Sequence, residues 1–352
     1  MGKRVLFVAV CLSLATSYWG AGSAHARASG YRIVWDDFKA EFTVDAPDAK
    51  WFRFAAGPYV GDDGIVTTSP RGLHVVSSGT NPDTGQPAFV RTIGQEQNNG
   101  GLPGGLDHVK WLVYMNHTAS TGFPGFDALS GQELSCQATV SGGTFGAEGH
   151  PFGGAVTDPN DDLRLASVAL NTIDFETFMV FDFFLTNERI YAFYERLPFG
   201  RTEDHRYAAF SFMIPVAERS PDEWHQLRIG YQPSVGTVRW FLDDEEVFRV
   251  DRIGHLIDRS FLTIDHGGQQ ESVAPRQLDC GMGMFSLLDG DLPSGAALVR
   301  LSSAPGFYFD PTTGEPAAQS FVDEHSVDAS RLFGQGAEMR IKRYVVSSVA
   351  AE

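Results

Sequence analysis

Two acidic residues, Asp182 and Glu195, stand in neighbouring β-rich segments that a tight turn can join. The segments span residues 174–186 and 189–197, with Asn187-Glu188 between them. Two β-rich runs separated by a two-residue connection fold back on each other as an antiparallel hairpin. We therefore predict a hairpin whose turn is Asn187-Glu188.

The length of this turn decides which residues face each other. A two-residue turn places Asp182 opposite Phe193 and Val180 opposite Glu195. Asp182 and Glu195 then lie diagonally on one face of the hairpin, about 5–8 Å apart. A turn longer by one residue would put the two acids on opposite faces.

A pair of carboxylates at this spacing can perform acid–base chemistry. In a glycosidase one carboxyl stays protonated as the acid, while the other is ionised as base or nucleophile. Glu176, upstream on the first segment, is a candidate third member. Aromatic residues on this face or in a neighbouring segment would stack on a sugar ring or another flat ligand: Phe184, Tyr191, Phe193 and Trp111. The competing interpretation is that the acids are solvated surface groups and that the phenylalanines are core.

The histidines give a weaker signal. His266 lies in the run Asp265-His266-Gly267-Gly268, a loop of the kind that flanks a cleft, and is a candidate general base or ligand donor. No two histidines have a metal-ligand spacing such as His-x-x-x-His, so we predict no catalytic metal. No serine stands in a Gly-x-Ser-x-Gly motif, which counts against an α/β-hydrolase.

Short strand-like runs, divided by Gly, Pro, Asn and Asp, must position these residues. The clearest is residues 222–250, where two alternating runs are broken at Pro233 and Gly236 and turn again at Asp243-Asp244 into a third. No segment keeps a helical pattern over three turns, although residues 326–333 fit a short helix. The pattern predicts an all-β fold, a sandwich of two antiparallel sheets.

Long loops divide several of these runs, and loops of this length in a compact domain usually form a binding face. They are residues 94–106, 141–162, 198–207, 265–280 and 302–324.

The run DEWHQLRIGYQPSVGTVRWFLDDEEVFRV at residues 222–250 resembles the strand set of concanavalin A-like lectins, laminin-G modules and family-16-type glucanases. Trp35-Asp36-Asp37-Phe38 resembles their entry strand, and residues 339–346 resemble their closing strand. The resemblance implies a concanavalin A-like jelly-roll β-sandwich, in a group whose members mostly handle sugars outside the cell. The whole chain also resembles a functionally uncharacterised family of secreted bacterial proteins.

The resemblance does not supply catalytic residues. Family-16-type glucanases carry Glu-x-Asp-x-x-Glu on one strand, which puts acids side by side above one sugar ring. This chain lacks the motif, and Asp174-Phe175-Glu176 followed by Asp182 is the nearest run. The resemblance also implies that a structural Ca²⁺ is compatible with the fold, with Asp36, Asp37 and Asp310 as oxygen donors. The simpler interpretation is that these acids are solvated.

The first 26 residues have the pattern of an export signal. Lys3-Arg4 is a short basic start, a mostly apolar run follows, and Ala24-His25-Ala26 has small residues where a signal peptidase cuts. A retained membrane anchor is the alternative, although the run is short and interrupted. We predict a secreted, monomeric protein whose mature chain, residues 27–352, forms one domain.

Charge and cysteine content limit the possible partners of the chain and indicate its redox compartment. The formal net charge of −17 disfavours nucleic acid and anionic membrane surfaces as partners, because both repel an acidic protein. Cys11 leaves with the leader, while Cys136 and Cys280 remain to form a disulfide in an oxidising compartment. Closing so long a loop would stabilise the fold by about 4–5 kcal/mol in the chain-entropy model. Two separate buried thiols are the alternative.

Three functions remain open from the sequence. The first is a secreted carbohydrate-active protein that binds a polysaccharide, with or without cleaving it. The second, favoured by the 27 phenylalanines, is a sandwich that binds, isomerises or cyclises a small hydrophobic molecule in an aromatic-lined pocket. The third is a non-catalytic lectin or adhesion module. An open concave cleft with exposed Trp or Tyr and two acids at its floor favours the first function. A closed pocket lined by Phe and Met with at most one acid favours the second.

Overall fold

The computed structural model describes residues 30–56, 59–78, 89, 108–292 and 296–351. The predicted leader, residues 1–26, lies outside the described residues. So do the predicted loop at residues 94–106 and all but one residue of the predicted strand at residues 88–92. Within the described part, no helix is long and apolar enough to cross a membrane.

Two antiparallel sheets contain most of the described strands, which we number along the chain. The first sheet contains β1 (Tyr31–Asp36), β5 (Ile65–Ser69), β6 (Gly72–Val76), β9 (Gln132–Phe145), β14 (His225–Gln232), β15 (Thr237–Leu242), β16 (Glu245–Val250) and β21 (Gly336–Ala350). The second contains β2 (Trp51–Arg53), β7 (Val109–Met115), β8 (Phe126–Asp127), β10 (Ser167–Asp174), β11 (Met179–Leu185), β12 (Arg189–Arg196), β13 (Phe210–Glu218), β17 (Leu262–Asp265) and β18 (Gln277–Phe285).

Smaller elements complete the described part. Strands β3 (Ala55–Ala56) and β4 (Tyr59–Val60) form a hairpin, and β19 (Ala297–Val299) pairs in parallel with β20 (Phe321–Asp323). Helix α1 (Asp328–Arg331) lies inside the predicted helical segment 326–333. Single-turn 3₁₀ helices occur at Ala147–Gly149, Gly153–Ala155, Pro159–Asp161, Pro198–Gly200 and Arg259–Phe261.

The chain passes repeatedly from one sheet to the other, and its first and last strands pair, with Tyr31 opposite Ser348. In the second sheet the central strands run β13-β12-β11-β10-β18-β7. The prediction of an all-β jelly-roll sandwich of two antiparallel sheets is therefore confirmed.

The segment 222–250 forms the predicted three strands. Leu227, Ile229 and Tyr231 on β14 and Val238 and Trp240 on β15 are all at most 1% exposed, because alternate residues face the other sheet. The residues at the second turn, Asp243 and Asp244, both have positive φ, as a tight hairpin turn requires.

Several predicted boundaries differ from the structure. Strand β18 begins at Gln277, inside the predicted loop at residues 265–280, and a turn at residues 175–178 interrupts the predicted run 174–186. Strand β9 continues to Phe145, beyond the predicted end at residue 140, because β21 pairs with it from Gly336 to Ala350. The predicted loop at residues 141–162 is correspondingly shorter. Backbone pairing over long sequence separation fixed this boundary, and local pattern could not show it.

The main core lies between the sheets, and the predicted disulfide crosses it. Cys136 on β9 and Cys280 on β18 are bonded, with Cα atoms 5.7 Å apart and a sequence separation of 144. Both residues are at most 1% exposed among the apolar side chains of the core. The bond therefore ties the middle of one sheet to the middle of the other.

Candidate functional site: a phenylalanine-lined pocket with paired carboxylates

A pocket opens on the outer face of the second sheet, the face turned away from the main core. Alternation along β11 places Phe181 and Phe183 in the core and Asp182 and Phe184 on the pocket side. The cavity volume is about 90 Å³. Its apolar lining includes Phe54, Leu112, Phe184, Phe193, Phe199, Phe285 and Phe307, and its polar lining is His108, Tyr114, Asn171, Asp182, Glu195, His266 and Asp289.

The predicted hairpin register is confirmed. Strands β11 and β12 pair with Asp182 opposite Phe193 and Val180 opposite Glu195, and the Thr186 amide donates to the Arg189 carbonyl across the turn. Both acids therefore lie on one face and line the same pocket. This is the arrangement on which the predicted acid–base pair depended.

The Asp182 side chain is held at a point where the backbone hydrogen bonds between β10 and β11 are interrupted. Here the Asp182 carboxylate takes the place of a backbone partner: Oδ1 accepts from the Thr172 amide at 2.7 Å, and Oδ2 accepts from Asn171 Nδ2 at 2.7 Å. Burial raises the pKa of Asp182 well above its usual range, these two hydrogen bonds oppose the rise, and the charge of Glu195 adds to it. Burial therefore favours the neutral form of Asp182.

The backbone of Asp182 is held from the other side of the sheet. The indole Nε1 of Trp240, on β15 of the first sheet, donates to the Asp182 carbonyl at 2.7 Å. Trp240 is fully buried in the main core. A hydrogen bond through the core thus connects the scaffold strands 222–250 to the pocket.

Glu195 is the carboxyl that titrates near neutral pH. It is half-buried, and its Oε1 accepts from Ser211 Oγ at 2.5 Å. Burial raises its pKa to about 7, an effect that outweighs the Ser211 hydrogen bond and the positive charge of His108. A group with this pKa can both give and take a proton at neutral pH.

A histidine–aspartate pair that sequence reasoning missed adjoins these acids. His108 Nε2 is hydrogen bonded to Asp289 Oδ1, and Tyr308 donates its hydroxyl to Asp289 Oδ2 at 2.6 Å. Burial alone would lower the pKa of His108, but the charge and hydrogen bond of Asp289 outweigh burial and raise it. For Asp289, burial acts to raise the pKa, and His108 and Tyr308 together bring it below its usual value. Each residue therefore favours the charged form of the other.

His266 lines the pocket, as the prediction of a ligand-contacting histidine requires. Its Nδ1 is hydrogen bonded to the Phe307 carbonyl at 2.5 Å. Burial lowers the pKa of His266 to about 4, so the ring is neutral. Since Nδ1 must carry the proton that is donated to the carbonyl, Nε2 is left as an acceptor.

Three predicted site residues lie outside the pocket. Trp111 is 1% exposed and packs in the core between the sheets, so it cannot stack on a ligand. Tyr191 lies on the pocket face, but its hydroxyl donates to Asp161 at 2.9 Å and it lines a neighbouring cavity. Glu176 forms an ion pair with Arg276 at 2.6 Å, away from both acids.

The acids named as candidate calcium donors have other partners. Asp36 accepts from Lys50 Nζ at 3.2 Å and from Trp51 Nε1 at 3.0 Å, which fastens the entry strand to β2. Asp310 accepts from two backbone amides of its own turn. Among the described residues, no group of three or more His, Cys, Asp or Glu side chains is arranged to hold a metal ion.

Comparison with known proteins places the chain in a family. The profile of the family described as "Family of unknown function (DUF6081)" matches residues 35–350. The chain belongs to this family. An uncharacterized protein of Acanthamoeba polyphaga mimivirus is 30% identical over 399 aligned positions, which cover 87% of this chain and 85% of the viral protein.

Among solved structures, the family member described here is similar to glucanases. An endo-1,3-beta-glucanase from Streptomyces sioyaensis matches with a TM-score of 0.43 and 11% identity, over 94% of this chain and all of the glucanase. A prokaryotic beta-1,3-1,4-glucanase (lichenase) derived from a mouse hindgut metagenome matches with a TM-score of 0.39 and 9% identity, over 92% of this chain and all of the lichenase. The site of this family member is therefore described from its own residues alone.

Proposed function

We propose that this protein is an acid–base enzyme that moves a proton on a small apolar group bound in the phenylalanine-lined pocket. One observation supports this most: Glu195, whose pKa is raised to about 7, faces a largely apolar pocket together with Asp182, whose pKa is raised by burial. Two acids are more than the single acid expected of a site for an apolar ligand, so a carbohydrate-active function stays the second candidate. A general base works best when its pKa is close to the working pH.

The two carboxyls suit different parts of one reaction. Ionised Glu195 can take a proton from a carbon next to a carbonyl group. Neutral Asp182, held by Asn171 and Thr172, can donate a hydrogen bond to that carbonyl oxygen as negative charge develops on it. In a substrate with a carbon–carbon double bond beside that carbon, the anion formed is a dienolate. Glu195 then returns the proton to the far carbon of the former double bond, and the double bond moves next to the carbonyl group. Atoms and electrons balance without an oxidant or a reductant.

The two histidines support the same chemistry. Protonated His108, anchored by Asp289, adds positive charge near a developing oxyanion. Neutral His266 offers an acceptor nitrogen to a ligand hydroxyl or amide group. Apolar side chains, six of them phenylalanine, supply the remaining wall and limit the access of water, which strengthens each of these interactions.

Hydrogen exchange at carbon tests this proposal without knowledge of the natural substrate. A panel of small saturated and unsaturated ketones would be incubated with the protein in D₂O, and deuterium uptake would be followed by NMR. We expect catalysed exchange with the wild type and a loss of at least about a hundredfold in Glu195→Gln, because general-base catalysis contributes that much. Glu245→Gln, on an exposed position of the other sheet, is the matched control.

A carbohydrate-active function is the second candidate. The paired carboxylates on one sheet face favour it, since glycosidases use two such groups. Release of reducing sugar from β-glucan, xylan or chitin would be measured with the same variants. Sugar release that disappears in Glu195→Gln, without any exchange on ketones, would replace the first proposal by this one. Equal ketone exchange in the wild type and Glu195→Gln would also refute the first.

A further inference from the structure

A second, larger cavity lies beside the phenylalanine-lined pocket on the same face of the second sheet. It has a volume of about 960 Å³. Its floor is formed by Tyr191 and Met213, and its sides by residues 157–164, 259–263 and 291–292. We call it the outer cavity.

The pocket and the outer cavity share a boundary. Phe193 lines the pocket, and Met213, its cross-strand partner on β13, lines the outer cavity. Phe184 and Tyr191 are paired in the same way across β11 and β12. Cross-strand partners on one face have Cβ atoms about 4.5–5.5 Å apart, so one ligand can contact both spaces.

The volumes show that the pocket alone is too small for a typical ligand. At about 90 Å³ it has room only for a small chemical group. Sites for small organic ligands usually measure about 300–1,000 Å³. Any ligand whose reactive group reaches Glu195 must therefore extend out of the pocket, and the outer cavity is adjacent.

The walls of the outer cavity combine apolar surface with charges that are already paired. Asp161 accepts from the Tyr191 hydroxyl at 2.9 Å and from Arg189 Nη1 at 2.7 Å. Arg259 donates to Asp265 at 2.6 Å. Most of these charges are paired, and Asp158 and Asp291 add negative charge, so the wall disfavours an anion and suits an uncharged ligand with many hydrogen-bonding groups.

One acceptor on this wall has no partner. The buried Oδ1 atom of Asp291 makes no hydrogen bond within the described residues. Burial raises the pKa of Asp291 to about 6, so the group is mostly ionised at pH 7 and retains this acceptor. An unsatisfied buried acceptor costs about 1–3 kcal/mol. A ligand N–H or O–H group would remove that cost if the Asp291 side chain turned its Oδ1 atom toward the outer cavity.

We propose that the ligand has two parts: a small apolar reactive group that enters the pocket, and a larger uncharged body, rich in hydroxyl or amide groups, that fills the outer cavity. The assignment of the reactive end rests on the proposed function. The existence of two joined subsites rests only on the geometry of the two spaces.

Binding of two-part probes tests this arrangement. Isopropyl β-glucoside carries a hydroxyl-rich body, and isobutyryl-glycylglycine amide carries an amide-rich body. Each would be compared by calorimetry and ligand-observed NMR with its separate parts: isopropanol, glucose and glycylglycine amide. We expect at least one two-part probe to bind at least about tenfold more tightly than either of its parts, because the second contact becomes intramolecular. The preferred body distinguishes a saccharide-like from a peptide-like ligand.

Substitutions at the boundary sharpen the test. Met213→Trp should fill the space at the boundary, so that a two-part probe binds no more tightly than its parts. Met213→Leu should keep the tighter binding of the two-part probe. Arg189 lies at an exposed edge of the outer cavity. Arg189→Leu should therefore lower the affinity for the hydroxyl- or amide-rich part of the probe and leave the core intact. Two-part probes that bind no better than their parts, or an advantage that survives in both Met213→Trp and Arg189→Leu, would overturn the proposal.

The outcome can be separated from that of the proposed function. Glu195→Gln should keep the binding advantage of the two-part probe while losing proton exchange. An advantage in the wild type without any exchange on carbon would leave the two subsites standing and refute only the acid–base role.

Discussion

At the scale of single residues, the chemistry of the site depends on how far burial among apolar side chains raises the pKa of each carboxyl group. The Asp182–Glu195 face could be predicted from the sequence because a hairpin register is local and depends only on turn length. The pairing of His108 with Asp289 could not be predicted, since 181 residues separate them and no spacing rule connects them. The pKa of Glu195 is raised by burial among phenylalanines, most of which come from distant segments. Local sequence could not show this burial.

The stability of the fold should depend on pH through Glu195. Its folded pKa of about 7 is above the ordinary value of 4.5, so the folded state binds the proton more tightly than the unfolded chain does. The resulting stabilisation is complete below pH 4.5 and is lost as pH rises through 7. The loss is at most about 3 kcal/mol, since one pKa unit corresponds to about 1.4 kcal/mol.

Urea denaturation of the wild type and of Glu195→Gln at several pH values measures this effect. The difference in unfolding free energy between the two should change by up to about 3 kcal/mol from about pH 4 to pH 8, with the wild type losing stability. Glu245→Gln should follow the wild-type curve. A constant difference across this range would show that Glu195 is not held in its neutral form by burial.

At the scale of strands, alternation of apolar and polar residues showed which side of the sheet each residue faces. Strands without this alternation gave no such information. The three strands of residues 222–250 alternate clearly and were predicted correctly. In β7 every residue is buried, and the run VKWLVYM shows no alternation. Sequence could therefore not tell that Trp111 faces the core while Leu112 and Tyr114 face the pocket.

The pairing of β18 with β7 requires glycine where an aromatic ring of the pocket lies across the strand. Gly281 is opposite Tyr114, and a Cβ atom there would lie 2.5 Å from the Tyr114 ring and 2.6 Å from the Val113 carbonyl. Gly281→Ala should lower the unfolding free energy by about 1–3 kcal/mol and displace Tyr114 into the pocket. Urea denaturation and probe binding measure the two effects.

Gly154→Ala provides the matched control for this substitution. A Cβ atom at Gly154 would meet no atom within 4 Å, so the substitution should leave both quantities unchanged. If Gly281→Ala were as stable as Gly154→Ala, the close approach of Tyr114 to β18 would not constrain the pocket.

At the scale of the whole molecule, two sheets and one covalent bond determine the frame in which the pocket is built. The all-β sandwich could be predicted because turn residues and alternation recur along the chain. Cys136 and Cys280 were the natural pair because Cys11 lies in the predicted leader. The pocket itself could not be predicted, because its walls come from strands and loops that are distant in sequence. Export and a monomeric state stay predictions.

Removal of the disulfide should weaken the fold without changing its architecture. The bond closes a span of 144 residues, so the Cys136→Ala/Cys280→Ala double variant should lose about 4–5 kcal/mol of unfolding free energy in the chain-entropy model. Circular dichroism should still show a β-rich protein, because the core around the bond is extensive. Identical denaturation midpoints for the oxidised protein and the double variant would contradict a clamping role.

The hydrogen bond from Trp240 to the Asp182 carbonyl also has a spectroscopic consequence. An indole whose N–H group is bonded in an apolar interior emits according to the strength of that bond and the local electric field. Because this bond ends on the residue that carries the neutral carboxyl, a change of protonation or occupancy in the pocket reaches a natural fluorophore through a single peptide group. We therefore expect the fluorescence of Trp240 to respond to ligand binding and to pH, without an attached dye.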